Sequence, residues 1–220
     1  MQQTWVIKNN SDKLIIFFNG WSLDENIVKH LTSDGFDVLM FNDYSDLEIA
    51  QEVLDIINSY AEVNVIAWSF GVWACGSVIN NFKNLKNAIA INGTLIPIDN
   101  SLGIPEKIFN LTLMHLSEEN YVRFFKNMFA GEADLGGIST RTIGNKKTEL
   151  EQIQKLSAEK NCAQNARLFN KIFIGANDKI ISSKNQANFW GETNAQIIKT
   201  EGGHYIFDLF KTWDEILNYA

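Results

Sequence analysis

Proline, cysteine and histidine are all scarce in this 220-residue sequence, which holds two prolines, two cysteines and three histidines. Two prolines leave no room for a rigid Pro-rich linker, so one continuous folded unit is expected. Cys75 and Cys162 are too few for a disulfide scaffold and lack metal-ligand spacing. Both are expected as reduced, buried thiols, with no metal site. No apolar run approaches the roughly 20 residues that cross a bilayer, and residues 1–6 carry no basic stretch leading into an apolar one. Neither a membrane span nor a secretory signal is expected, and the expected location is cytoplasmic. Basic charge is also in deficit: 19 Lys and Arg against 26 Asp and Glu leave a net −7. A general nucleic-acid-binding surface needs the opposite sign.

Core material, by contrast, is plentiful. Hydrophobic residues make up 45% of the chain and charged residues 20%, a globular composition that excludes disorder. Short β-rich runs alternate with helical patterns. Strands are predicted at residues 4–7, 14–18, 37–41, 63–68, 88–91, 171–175 and 195–199, and helices at 23–33, 46–60, 70–82, 184–190 and 207–219. Residues 95–169 break the alternation, with helical stretches at 121–129 and 147–156 and no convincing strand. Repeated βα units with short connections imply an α/β class, a mostly parallel central sheet flanked by helices. One domain over residues 1–220 is expected, its core formed by about 1–94 and 170–220 and a helical cap inserted at about 95–169.

The strongest chemical signal is Ala67-Trp68-Ser69-Phe70-Gly71. An apolar strand runs into Ser69 and a helix leaves it at once, which places the serine on a sharp turn that pushes its hydroxyl out of the sheet. Small residues are needed two positions either side, because the backbone folds tightly around the serine; Ala67 and Gly71 supply them. The common pattern has glycine where Ala67 stands. A serine capping a helix is the plain structural alternative, so the partners must decide.

A nucleophilic serine needs a base, the base an orienting carboxylate, and the oxyanion a pair of donors. The chain order expected here is Ser, then Asp or Glu, then His. His30 precedes the serine in a predicted amphipathic helix, and His115 lies within the insertion. His204 remains, in Gly202-Gly203-His204-Tyr205 after the last strand. Asp178 follows the strand at 171–175 and projects from the same sheet edge; Asp99, near the end of an earlier strand, is the alternative acid. Asp208 falls four residues after His204 on the following helix and points elsewhere. The oxyanion donors are expected to be the backbone N–H groups of Phe70, next to the nucleophile, and Trp21, in Phe18-Asn19-Gly20-Trp21-Ser22.

Those segments, with Gly175-Ala176-Asn177-Asp178, resemble the BioG-type pimeloyl-acyl-carrier-protein methyl ester esterases of the α/β-hydrolase superfamily. Asn19 and Ala67 depart from the His-Gly-Trp segment and the first elbow glycine of the similar BioH-type enzymes. The resemblance implies an α/β-hydrolase fold and a step of biotin synthesis, removal of the methyl group from the ω-carboxylate of pimeloyl-acyl carrier protein. Ser69 would attack the ester, His204 act as base and Asp178 hold the imidazole, without metal or organic cofactor.

The implied carrier is acidic, and electrostatic complementarity calls for a basic docking surface. Residues 107–171 hold ten Lys and Arg against seven Asp and Glu, while the rest of the chain holds nine against nineteen. Arg123, Lys126, Arg141, Lys146, Lys147, Lys155 and Arg167 are the candidates for carrier contact, Arg123 and Lys126 foremost. Among the apolar residues Phe109, Phe124, Phe125, Met128 and Phe129, Phe125 and Phe129 are expected to line the acyl channel with Trp21; packing into the core is the alternative. Competing functions are a thioesterase or general carboxylesterase with the same triad, and a non-catalytic binding protein of the same fold.

Overall fold

Side chains alternate across a β-strand, so a strand with apolar residues at every position must be covered on both faces. The central strands of this chain have that character. In the computed structural model, residues 1–133, 136 and 138–219 are described; Asp134, Leu135 and Gly137 of the expected insertion, and Ala220 of the expected domain, lie outside them. Seven strands form one sheet: β1 (Gln2–Ile7), β2 (Lys13–Phe18), β3 (Asp37–Asn42), β4 (Glu62–Trp68), β5 (Leu85–Ile91), β6 (Lys171–Gly175) and β7 (Gln196–Thr200). Their order is β1-β3-β2-β4-β5-β6-β7, and only β1 runs antiparallel, against β3. This is the α/β-hydrolase fold.

The two faces of the sheet support two separate cores. Leu14, Ile16, Phe18, Val63, Val65 and Ala67 face one side with α2 (Phe70–Val78), while Ile15, Phe17, Ile66 and Trp68 face the other with Phe207, Trp213 and Ile216. Helix α2 is buried around nearly its whole circumference, as an all-apolar helix in a covered layer must be. Cys75 and Cys162 are free and buried in the first of these cores, as expected, and burial pushes both thiols up.

Between β5 and β6 run the helices α3 (Glu106–Met114), α4 (Glu118–Asn127) and α5 (Ile143–Glu159); α1 (Gln51–Asn58), α6 (Ser183–Trp190) and α7 (Trp213–Asn218) complete the set. Two expected helices are corrected. At 23–33 only a 3₁₀ turn forms, at Glu25–Val28. Thr32 then pairs through its backbone with Lys211 and Trp213, which takes the N–H and carbonyl a continuing helix would use. The helix expected at 207–219 is divided for the same reason into a 3₁₀ turn, Phe207–Leu209, and α7. Thr212 and Glu215 close a reciprocal capping box that starts α7 afresh.

Candidate active site

Strand β4 ends at Trp68 and α2 begins at Phe70, leaving Ser69 alone at the turn with φ 58° and ψ −127°. A non-glycine residue in that region is strained and must be held by its surroundings. The Ser69 N–H donates to the Ile91 carbonyl at 3.0 Å, tying the turn to β5. A Cβ at position 71 would lie 2.3 Å from the Phe18 carbonyl oxygen, so only glycine lets α2 start this close to β2. Ser69 is 6% exposed, at the carboxyl edge of the sheet.

His204 reaches that edge from the loop after β7. Its Nε2 lies 2.8 Å from Ser69 Oγ, and its Nδ1 lies 2.8 Å from Asp178 Oδ2. Because a carboxylate only accepts, Nδ1 carries the proton and Nε2 is left to accept from the serine hydroxyl. The imidazole is 1% exposed, and two side chains fix the backbone that carries it. Trp68 Nε1–H donates to the His204 carbonyl at 2.9 Å, and Asn92 Nδ2 donates to the carbonyls of Gly203 and His204. Asn92 Oδ1 also accepts from Gly175 N–H at 2.7 Å, so one amide locks the histidine loop to the end of β6. Asp178 is oriented in turn. Its Oδ1 accepts from the N–H groups of Ile180 and Ile181, and its Oδ2 accepts from Gln186 Nε2 at 2.8 Å.

The alternative acid sits elsewhere. Asp99 Oδ1 accepts from the backbone N–H groups of Ser101 and Leu102, a turn within its own loop. Asp208 is exposed. His30 Nε2–H donates to the Phe207 carbonyl at 3.0 Å, and His115 is exposed after α3. Gln186 and Asn92 escaped sequence reading, because neither belongs to a motif and each acts through contacts distant in sequence.

The N–H of Phe70 opens α2, where the first amides have no helical acceptor. Trp21 N–H likewise has no acceptor among the described residues. Both residues line a void of about 10 Å³ beside Ser69 and His204, room for one water-sized group. Trp21, Phe70 and Phe124 also line an adjoining cavity of about 170 Å³, walled by Ile104, Ile108, Phe109, Leu150 and Ile180, with Thr112, Asn127 and Lys179 as its polar lining. Ile108, Thr112, Phe124 and Asn127 also line a neighbouring surface groove bordered by His115 and Arg123.

Phe125 and Phe129 line neither the cavity nor the groove. Phe125 is fully buried beneath α4, and Phe129 packs at a tilt on Tyr205, ring centroids 4.8 Å apart, beside a separate cleft lined by Ile27 and His30. Successive helical residues point about 100° apart, so with Phe125 turned into the core it is Phe124, beside Tyr121, that meets Trp21, at ring distances of 5.3 Å and 6.0 Å for Phe124 and Tyr121. Arg123 is exposed and pairs with Glu119 at 3.3 Å, and Lys126 is exposed. Arg141 and Lys146 turn inward instead of facing a partner.

Comparison with known proteins identifies the family. The model for the family described as pimeloyl-ACP methyl esterase BioG matches residues 1–216. The chain belongs to the BioG family. It is therefore a carboxylic ester hydrolase. The crystal structure of BioG from Haemophilus influenzae superposes with a TM-score of 0.86 at 27% identity, covering 97% of this chain and 98% of that one. A Bacteroides fragilis protein named malonyl-[acyl-carrier protein] O-methyltransferase is 34% identical over 87% of this chain, which spans 39% of that relative's length. A lipase-esterase related protein of Clostridium acetobutylicum, 13% identical with a TM-score of 0.69 and coverage of 100% and 99%, shares the fold. No helix among the described residues of this BioG-family chain is long and apolar enough to cross a membrane.

Proposed function

We propose that the protein hydrolyses the methyl ester at the far end of a pimeloyl chain borne by acyl carrier protein, in biotin synthesis, with Ser69 as nucleophile. The observation that carries this reading is the continuous Ser69–His204–Asp178 hydrogen-bonded chain, with both links at 2.8 Å, opening beside an apolar cavity. Ser69 Oγ attacks the ester carbonyl while its proton passes to His204 Nε2. The new imidazolium is stabilised by Asp178, whose two bonds from Ile180 and Ile181 and one from Gln186 keep it aimed. Negative charge gathers on the carbonyl oxygen, and the amides of Trp21 and Phe70 receive it. Collapse of this intermediate breaks the bond to the methoxy group, which leaves as methanol with the proton from His204. Water then repeats the sequence on the Ser69 ester and releases a free carboxylate, still attached to its carrier.

The cavity suits such a chain. Ile104, Ile108, Phe109 and Leu150 make an apolar wall for unbranched methylenes, and the neighbouring groove is bordered by the exposed Arg123. The polar linker and acidic carrier would lie at that groove, near Arg123, Lys126 and Lys179, with no membrane or nucleic acid involved. Because the void at Ser69 holds only a water-sized group, the ester enters when Phe124 or Met128 moves aside. A direct test offers the purified protein pimeloyl-acyl-carrier-protein methyl ester beside the corresponding free-acid thioester. The expected products are methanol and an intact carrier thioester. Release of the carrier thiol with the methyl ester untouched would show a thioesterase instead.

A further inference from the structure

The loop that carries the Trp21 amide is not set by the sheet alone. Ser22, the next residue, adopts φ 70°, a left-handed conformation that a serine keeps only when its surroundings impose it. Three contacts from residues 121–149 do so. Glu149 Oε2 accepts from Ser22 N–H at 3.2 Å, the Tyr121 hydroxyl shares a 2.9 Å hydrogen bond with Ser22 Oγ, and the Lys146 carbonyl accepts from Trp21 Nε1–H at 2.9 Å. Glu149 Oε1 also accepts from Tyr44 N–H at 3.0 Å, so one carboxylate joins the loops after β2 and β3.

That carboxylate is 0% exposed. Burial, helped by the nearby Asp43 charge, pushes the Glu149 carboxyl up on balance, and Arg141 and the Tyr44 N–H offset only part of that rise. Arg141 Nη1 lies 2.7 Å from Glu149 Oε2, and its Nη2 lies 3.0 Å from Asp43 Oδ2, which closes a network over the loop. An apolar side chain would fill the same space without the desolvation of a charge. What a carboxylate adds is direction, since it fixes the N–H it accepts. Trp21 N–H has no acceptor of its own among the described residues, so its direction depends on how Trp21 and Ser22 are held.

We infer that the Glu149–Arg141 pair positions the oxyanion hole, aiming the Trp21 N–H at the substrate carbonyl oxygen without either side chain touching the substrate. The inference rests on the ester hydrolysis at Ser69 proposed above. Both charges are needed. Glu149 holds the loop, and Arg141 cancels a negative charge that would otherwise sit behind a site where negative charge develops. Because that charge exists only in the transition state, disturbing the pair lowers kcat and leaves KM nearly unchanged.

The test uses p-nitrophenyl butyrate, with active sites counted by exhaustive titration with a fluorophosphonate so that misfolded protein drops out. Glu149→Gln is expected to lower kcat per titrated site about 10- to 100-fold, with KM within about twofold, since removing one oxyanion donor outright costs 10²–10³. Arg141→Met is expected to lose at least as much, and Arg141→Lys to recover part of the loss. Unchanged kcat per site in Glu149→Gln and Arg141→Met, or a loss confined to KM, would overturn the inference. Arg141→Lys no better than Arg141→Met would also count against it. Should Glu149→Gln yield no titratable sites, the two Arg141 variants decide by the same criteria. A wild type that turns over no ester would remove the esterase reading and this inference with it, whereas an active wild type matched by its variants would remove the inference alone.

Discussion

Gln186 is the residue whose loss should separate orientation from chemistry. Its Nε2 donates to Asp178 Oδ2 and to the Ile181 carbonyl, and its side chain is fully buried. Gln186→Met keeps most of the volume and removes the donor. A hydrogen bond to a charged group contributes about 1.5–3 kcal/mol, so kcat should fall about tenfold or more while KM holds; an unchanged kcat would mean Asp178 is held well enough by Ile180 and Ile181. Tyr121 illustrates a second use of burial. Its hydroxyl is pushed up to about 12 by burial, so it stays neutral and keeps its bond to Ser22 at ordinary pH. His204 was legible because scarcity left one histidine after the serine and outside the insertion, Ser69 because a strand ran into it and a helix left it, whereas Asp178 was read with Asp99 still open as the acid. The structure brings these three together, and it seats Asp99 in a turn of its own. Gln186 and Asn92 were not legible. Their partners are set by which loops meet at the sheet edge, and no local pattern encodes that.

At the scale of elements, the approach of α2 to β2 is the tightest feature of the site. Gly71→Ala places a carbon 2.3 Å from a backbone oxygen that cannot swing away. Overpacking of this kind costs about 1–3 kcal/mol, and urea unfolding should show a loss of that size together with lower activity. Wild-type stability in this variant would mean that α2 can shift freely. The buried strands and α2 were readable as continuous apolar runs, and the mostly parallel sheet followed from βα alternation, while the strand order was not read. Helix α3 was missed because only Phe109 among its residues is buried, while Ile108, Leu111 and Met114 are exposed and blur the helical period. Helix α4 was read at 121–129 and forms at Glu118–Asn127, and which of its phenylalanines face the core was left open. One residue of phase separates Phe124, which lines the cavity beside Trp21, from Phe125, in the core.

Across the whole molecule, the surplus of basic residues in 107–171 has a different meaning from the one composition suggests. Arg141 is consumed by Glu149 and Asp43, and Lys146 is buried over the Tyr121 ring at 3.8 Å, so the outward basic character is smaller than the count. Acid sensitivity has a defined source on the opposite edge of the sheet. Burial raises the Asp37 carboxyl, but bonds from Lys8, Tyr60 and the N–H groups of Asn9 and Ser11 outweigh it and hold Asp37 at about 2. The folded value lies below the unfolded one, so this contribution is full above about pH 4. It is lost as pH falls through about 2. Denaturation of wild type and Asp37→Asn at pH 7 and pH 2 should show a stability gap that narrows in acid; a constant gap would remove Asp37 as the source. The central claim concerns Ser69 and is tested most directly by methanol release from pimeloyl-acyl-carrier-protein methyl ester, comparing wild type with Ser69→Ala at equal folded protein. The account predicts a fall of about 10⁴-fold or more, with folding intact. A Ser69→Ala protein that releases methanol within about tenfold of the wild-type rate would contradict it.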